Sequence, residues 1–264
     1  MNLNIKGKCA LVFCASRGIG QGITEALARE GVNLILVSRN RERLHSIKAE
    51  LETRFNVAVN VISLDITHQE AKTALQDQLK ALDIHVDILI NIPASPESGS
   101  AVETSAEVFE KYFSHMVGFF IDTSRYLGNM MAKNGWGRII TVTSSGVSQP
   151  INNLVVSNSL RAAMVNWNKT FSDEISRYGV TVNNAVPGRI QTDRVDEIDR
   201  NNAIRNGCSV EEVRASSFNS IPVGRYGTVD EFSSLVTYLC GRSSSYITGT
   251  SIRVDGGLIK GTSH

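Results

Sequence analysis

The sequence predicts an α/β protein: a doubly wound parallel sheet of about seven strands with helices on both faces. Three observations carry this. Short runs rich in Val and Ile alternate with longer stretches of helical period along all 264 residues. Most of these runs are apolar at successive positions, as strands covered on both faces must be. A glycine-containing turn joins the first run to the first helical stretch, where such a sheet keeps its ligand crevice.

The elements follow in order. "CALVF" is the first strand, and "QGITEALAREG" the first helix, with Ile23, Ala26 and Leu27 on one face and Gly31 as its C-terminal stop. "NLILV" is a strand again, then "VAVNVISLD", a helix over 69–82, "DILIN", a long helix ending near Met131, and "GRIITVT". A helix over 154–178, the strand "VTVNNAV", a helix over 228–239 and the strand "SIRVD" complete the series. No Pro- or Ser-rich linker interrupts it, so 1–264 reads as a single domain with right-handed crossovers. The one long departure, 193–221, reads as a small helical lid. In its "SVEEV", Ser209 caps a helix and Glu212 reaches back. Six acidic residues and four arginines there read as a solvated flap and not as a phosphate patch.

Composition narrows the function classes. With 42% hydrophobic and 20% charged residues the chain is an ordinary globular one. A net charge of +1, from 27 basic and 26 acidic side chains, gives no field for nucleic acid or an anionic membrane. No apolar run approaches the roughly 20 residues that span a bilayer. Cys9, Cys14, Cys208 and Cys240 lack metal-ligand spacing and no secretory signal precedes them, so no metal is expected and the cytoplasm is the expected compartment.

"CASRGIG", residues 14–20, sets glycines ahead of a helix amino terminus, where free N–H groups and the dipole end receive a pyrophosphate in Rossmann-like folds. Here the residues resemble the short-chain dehydrogenase/reductase family, most closely its 3-oxoacyl carrier-protein reductases. "ALVFCASRGIG", "VNNAVPGRIQT" and "SYITGTSIRVDGG" match that family's glycine, proline-glycine and closing segments, and the resemblance covers about residues 5–257. It implies an oxidoreductase acting on a carbonyl or alcohol. Its cofactor would be held by Cys14, Ser16, Arg17, Gly18, Ile19 and Gly20, by Arg39, and by Asp65 and Ile66 at the adenine. Asn91 would lie beside the ribose, and Pro187, Gly188, Ile190 and Thr192 by the nicotinamide. Arg17 and Arg39 stand where the family places basic side chains for a 2′-phosphate, and "LVSRN" has no acid to accept a 2′-hydroxyl. NADP(H) is therefore favoured over NAD(H). Two departures oppose tight binding: Cys14 replaces the first glycine, and "NIPA" brings Pro93 and Ala94 where the family has Asn-Ala-Gly after its first asparagine.

The family's reaction centre is a serine, tyrosine, lysine and asparagine, in which a phenol titrating near 10 is made acidic enough by an adjacent cation. Position by position these become Ser144, Ser157, Arg161 and His115. Ser157 and Arg161 share a helix face, but serine is a far weaker acid and arginine stays protonated. His115, with an unperturbed pKa near 6.5, is the remaining candidate acid, directly or through water. Three readings follow: a reductase with a non-standard centre, a nucleotide- or metabolite-binding protein without turnover, or lyase-like chemistry of the halohydrin dehalogenase kind, which pairs an arginine with a retained tyrosine. The resemblance also implies a small-molecule substrate and a homo-oligomer, tetramer or dimer, formed through the helices over 103–131 and 154–178 and the carboxyl end; "MVGFFI" in the first helix is an apolar patch.

Overall fold

The computed structural model describes residues 2–262. Seven parallel strands, β1 (Cys9–Phe13), β2 (Asn33–Ser38), β3 (Val59–Ser63), β4 (Ile88–Asn91), β5 (Gly137–Val142), β6 (Val180–Pro187) and β7 (Ser251–Val254), lie in the order β3-β2-β1-β4-β5-β6-β7. The order reverses between β1 and β4, which opens the crevice at their carboxyl ends. The helices are α1 (Gly18–Arg29), α2 (Arg41–Phe55), α3 (Ala71–Leu82), α4 (Ala106–Phe113), α5 (Phe119–Lys133), α6 (Val155–Ile175), α7 (Asp193–Asn206), α8 (Val210–Ser220) and α9 (Val229–Cys240).

The alternation of strand side chains divides the core into two layers. Ala10, Val12, Leu34, Leu36 and Ile90 face Ile23, Leu27, Leu44, Ile47, Phe232 and Val236 of α1, α2 and α9. Leu11, Phe13, Ile35, Val37 and Leu89 face Leu75, Leu79, Phe120, Leu127, Leu160 and Met164 of α3, α5 and α6. Phe13, Phe119 and Phe120 meet edge-on at 5.3–5.5 Å, beneath the crevice. Each such side chain, fully buried, contributes about 1.5–3 kcal/mol.

Three local findings go beyond the sequence reading. Helix α2 was not anticipated, because it is polar nearly all round and buries only Leu44, Ile47 and Leu51. Its ends are nevertheless built: Asn40 Oδ1 accepts from the Arg43 N–H at 2.9 Å, and Asn56 closes it at φ +52°. The long helix ending near Met131 is two helices joined by a π turn, Ser114–Gly118, which carries His115. The last helix starts on a second capping box, Thr228 with Glu231, and ends at Cys240. Among the described residues no helix is long and apolar enough to cross a membrane.

Candidate functional site

The turn after β1 is built as a cradle. Gly18 takes φ +54°, and a Cβ on Gly20 would stand 2.2 Å from the Cys14 carbonyl oxygen, so the backbone closes on itself there and only glycine fits. Arg17 precedes α1 in extended backbone with no side-chain cap, leaving the first-turn N–H groups of α1 to a ligand. The loop after β6 closes on the same turn: the Thr192 methyl would lie 3.6 Å from a Cβ on Gly18. A cavity of about 370 Å³ beside them is lined by Gly18, Gln21, Thr192 and Thr228 among others. Ser16 and Ile19 are half-buried in the turn, and Pro187 and Gly188 at the exit of β6, where Gly188 lies against the Asp255 backbone with no space for a side chain.

At the end of β2 the Ser38 hydroxyl is buried without a partner among the described residues, and Arg39 extends into solvent 3.9 Å from Asp65. Burial works against ionisation of Asp65, but the N–H and hydroxyl of Thr67, then Arg39, outweigh it and hold its carboxyl below the usual range. Ile66 packs against the core beside it. These residues fit a phosphorylated dinucleotide: a cradle a Cβ would fill, free helix N–H groups, an orphaned hydroxyl and a cation, with no acid at the end of β2.

Two of the expected cofactor-site side chains are buried. Asn91 is wholly buried; its Nδ2 donates to the Ser124 hydroxyl at 2.9 Å and to Thr141 Oγ1 at 3.4 Å, bracing β4 to α5 and β5, while its Oδ1 has no partner among the described residues. Ile190 is also buried, bridged to Gly227.

Cys14 occupies the left-handed region at φ +51°, a conformation that costs an L residue about 1–2 kcal/mol. Its thiol donates to the Ile92 carbonyl at 3.2 Å; burial holds its pKa above the ordinary value, against the opposing pull of Arg161, Arg17 and Arg39. Cys14→Gly removes the strain and the crowding and loses only one weak hydrogen bond. The expected outcome is a chain at least as stable, by about 0.5–1 kcal/mol in thermal denaturation, with NADPH bound several-fold more tightly by fluorescence titration. A fall in both would show the thiol contact to be worth more than the strain.

The reaction centre is brought together only in part. Ser144 is half-buried ahead of a 3-10 turn at Ser145–Val147, and its Oγ accepts from the Gly146 N–H at 3.1 Å, which leaves its own proton free. Ser157 and Arg161 lie one turn apart near the start of α6, both buried. Arg161 Nε donates to Ser157 Oγ at 3.2 Å, Nη1 to the carbonyls of Val142 and Thr143 at 3.1 and 3.2 Å, and Nη2 to that of Pro93 at 3.0 Å. Four of its five N–H groups are thus used inside the protein. Burial brings the guanidinium pKa down to about 10, with the Cys14 thiol opposing, so it remains charged at neutral pH. His115 is buried in the π turn with its ring edge-on to Tyr112 at 5.3 Å, and no hydrogen bond joins it to Ser144, Ser157 or Arg161 among the described residues. Its pKa is lowered, chiefly by burial, against the pull of Asp65, so it is neutral at pH 7.

No hydrogen bond joins a tyrosine hydroxyl to Ser144, Ser157 or Arg161 among the described residues. Tyr112 Oη accepts from the Glu97 N–H at 3.3 Å, and the Tyr226 hydroxyl donates to Asp199 at 2.9 Å. The latter belongs to a cluster that corrects the reading of 193–221 as a solvated flap. Asp199 of α7 is fully buried and also accepts from Arg189 at 3.0 Å, while Arg214 of α8 meets Asp196 at 2.6 Å and Asp199 at 3.6 Å. The capping box Ser209–Glu212 forms as the sequence predicts, but part of the charge beside it folds inward as ion pairs. No spacing rule links positions 189, 199, 214 and 226, and none would have found the three carbonyls around Arg161.

With this geometry in hand, the comparisons with known proteins are informative. The family model described as Enoyl-(Acyl carrier protein) reductase matches residues 14–259. The chain is 29% identical to the NADPH-dependent reductase BacG of Bacillus subtilis (strain 168), over 96% of this chain and 98% of that one. It is 27% identical to the 3-oxoacyl-[acyl-carrier-protein] reductase FabG of Aquifex aeolicus (strain VF5), over 98% and 100%. Among solved structures, L-sorbose reductase from Gluconobacter frateurii, complexed with NADPH and L-sorbose, matches with TM-score 0.92 and 27% identity, covering 99% of this chain and 100% of that one.

Proposed function

Because the chain belongs to the short-chain dehydrogenase/reductase family, we propose that it is an NADP(H)-linked oxidoreductase acting slowly on a carbonyl or the corresponding alcohol, a 3-oxoacyl-like compound included. The observation that carries this reading is the phosphate cradle: Gly20 packed against the Cys14 carbonyl, uncapped N–H groups at α1, and Ser38 with Arg39 at the end of β2. Relatives whose names specify NADPH support the choice of cofactor. When bound, the cofactor supplies or accepts hydride. The chain's own part is to hold the substrate oxygen with the Ser144 hydroxyl and to offset charge developing there with the buried Arg161 cation behind Ser157. The Arg161 N–H into Ser157 Oγ polarises that hydroxyl and leaves its proton free to donate; burial disfavours the charged form of His115, so the imidazolium that could pass a proton through water forms only as pH falls. Without a phenol the proton step is slower by about 10²- to 10⁴-fold than in a centre that has one. Helices α7 and α8, held by Asp199, serve as the lid, and a homo-oligomer forms through α4, α5 and α6 in the cytoplasm.

A second reading, a nucleotide- or metabolite-binding protein without turnover, is favoured by one observation: Arg161 is turned to backbone carbonyls. A fluorescence titration with NADPH and NADH, followed by absorbance at 340 nm with a panel of ketones and 3-oxoacyl thioesters, separates the two. Saturable binding that prefers NADPH, with slow oxidation by at least one carbonyl, is the expected result. Binding without oxidation selects the second reading, and no saturation at millimolar cofactor overturns the oxidoreductase.

A further inference from the structure

A cavity of about 520 Å³ opens at the opposite end of the sheet, where β5 and β6 begin. Its lining includes Trp136, Arg138, Ser176, Thr181, Arg242 and Thr248. Arg138 and Thr181 stand opposite each other in register on neighbouring strands, so their side chains share one face of the sheet.

The chemistry there is unbalanced. Arg138 is 2% exposed, yet no carboxylate pairs with it among the described residues. Charged side chains are almost never buried unless paired. Its guanidinium donates to the carbonyls of Gly137 at 2.8 Å, Gly179 at 3.3 Å and Gly241 at 3.4 Å, and stacks on Trp136 with its carbon 4.5 Å from the ring centroid. One Nη2 N–H is left over, and carbonyl dipoles disperse the positive charge without cancelling it. Thr181 is 5% exposed and its hydroxyl has no partner among the described residues. Arg242 adds a second cation at the rim, exposed and without an ion pair among the described residues. A buried, unpaired cation, an orphaned donor and a rim arginine around one opening are the parts of an oxyanion site.

We propose that this cavity is a second ligand site, separate from the crevice, which takes a small oxyanion: a phosphate or a carboxylate, free or at the end of a small metabolite. The anion meets the free Arg138 N–H and the Thr181 hydroxyl inside, and Arg242 across the mouth. Trp136 forms the flat wall beside it.

The chain has two tryptophans, Trp136 and Trp167, so Trp167→Phe isolates the emission of Trp136. Inorganic phosphate, a phosphomonoester such as glycerol phosphate, and citrate are titrated in turn at constant ionic strength held with sodium chloride. The expected result is a saturable change in Trp136 emission with at least one of them, unchanged by prior NADPH. Phosphate alone identifies a free-anion site; a tighter phosphomonoester or citrate identifies the end of a metabolite. Thr181→Val, close in shape, weakens binding about fivefold, and Arg242→Gln about threefold, both in chains that melt within a few degrees of the parent. A linear response equal to that of sodium chloride, or saturation untouched by both substitutions, overturns the proposal. Arg138 itself is a poor first test because its removal frees three carbonyls.

Discussion

Replacing Ser157→Tyr and Arg161→Lys together raises carbonyl-dependent NADPH oxidation by about 10²- to 10⁴-fold. The position is suited to the exchange. Residue 157 sits in the first turn of α6 within a cross-helix spacing of residue 161, and Ser144, thirteen residues upstream, keeps its hydroxyl proton free. A phenol oxygen reaches a full ring's width beyond a serine oxygen and loses its proton near pH 10 before any cation assists, where serine is a far weaker acid. An adjacent cation lowers it further. Ser157→Tyr alone therefore recovers much of the gain, because Arg161 still supplies the charge, and Arg161→Lys alone recovers none. Initial rates at saturating NADPH, with cofactor affinity measured separately, check the order: double variant, then Ser157→Tyr, then wild type with Arg161→Lys. A double variant that binds NADPH as well as wild type but reduces nothing faster would mean that the two halves of the crevice no longer face one another.

What was legible in the sequence and what was not follows from range. The succession of strands and helices comes from local periodicity, and the apolar runs that announce a sheet covered on both faces are seen in β1, with Leu11 and Phe13 on one side and Ala10 and Val12 on the other. The Ser209–Glu212 box is likewise local, its partners being three residues apart. Helix α2 escaped because its apolar stripe is only Leu44, Ile47 and Leu51, and its signals lie in the flanking Asn40 and Asn56. At the site, the replacements at 14, 115, 157 and 161 could be read by alignment to a family pattern. Their consequences could not. That Arg161 reaches Pro93, 68 residues away, and that Asp199 is buried among Arg189, Arg214 and Tyr226, depends on where strand ends converge in space. Asn91 shows the same limit: its place in the motif is local, but the contact of its amide with Ser124, 33 residues away, is not.

Arg161→Met is expected to destabilise the protein by about 3 kcal/mol, which lowers the melting temperature by roughly 6–12 °C. The guanidinium is the point where three segments meet: the end of β5 through Val142 and Thr143, the loop after β4 through Pro93, and α6 through Ser157. Methionine fills much of the volume and removes the cost of burying a charge, which limits the loss. It supplies no donor, however, and each buried polar group left unpaired costs about 1–3 kcal/mol. Arg161→Lys, with three donors and the charge retained, loses about half as much. Thermal and urea denaturation followed by circular dichroism check this ranking, and a loss below 1 kcal/mol for the methionine variant would show the carbonyls to be satisfied by water. The stability effect carries a functional one. Pro93 lies on the loop that bounds the cofactor crevice opposite Cys14, whose thiol holds the preceding carbonyl, that of Ile92. Residues 14 and 161 therefore tie adjacent peptides of one loop from two sides. Removing the guanidinium frees that loop and weakens NADPH binding beyond what the fall in stability explains, whereas Ser157→Ala, which leaves the three carbonyl contacts in place, does not. On this view the arginine keeps the crevice in shape first, and its charge serves the reaction second.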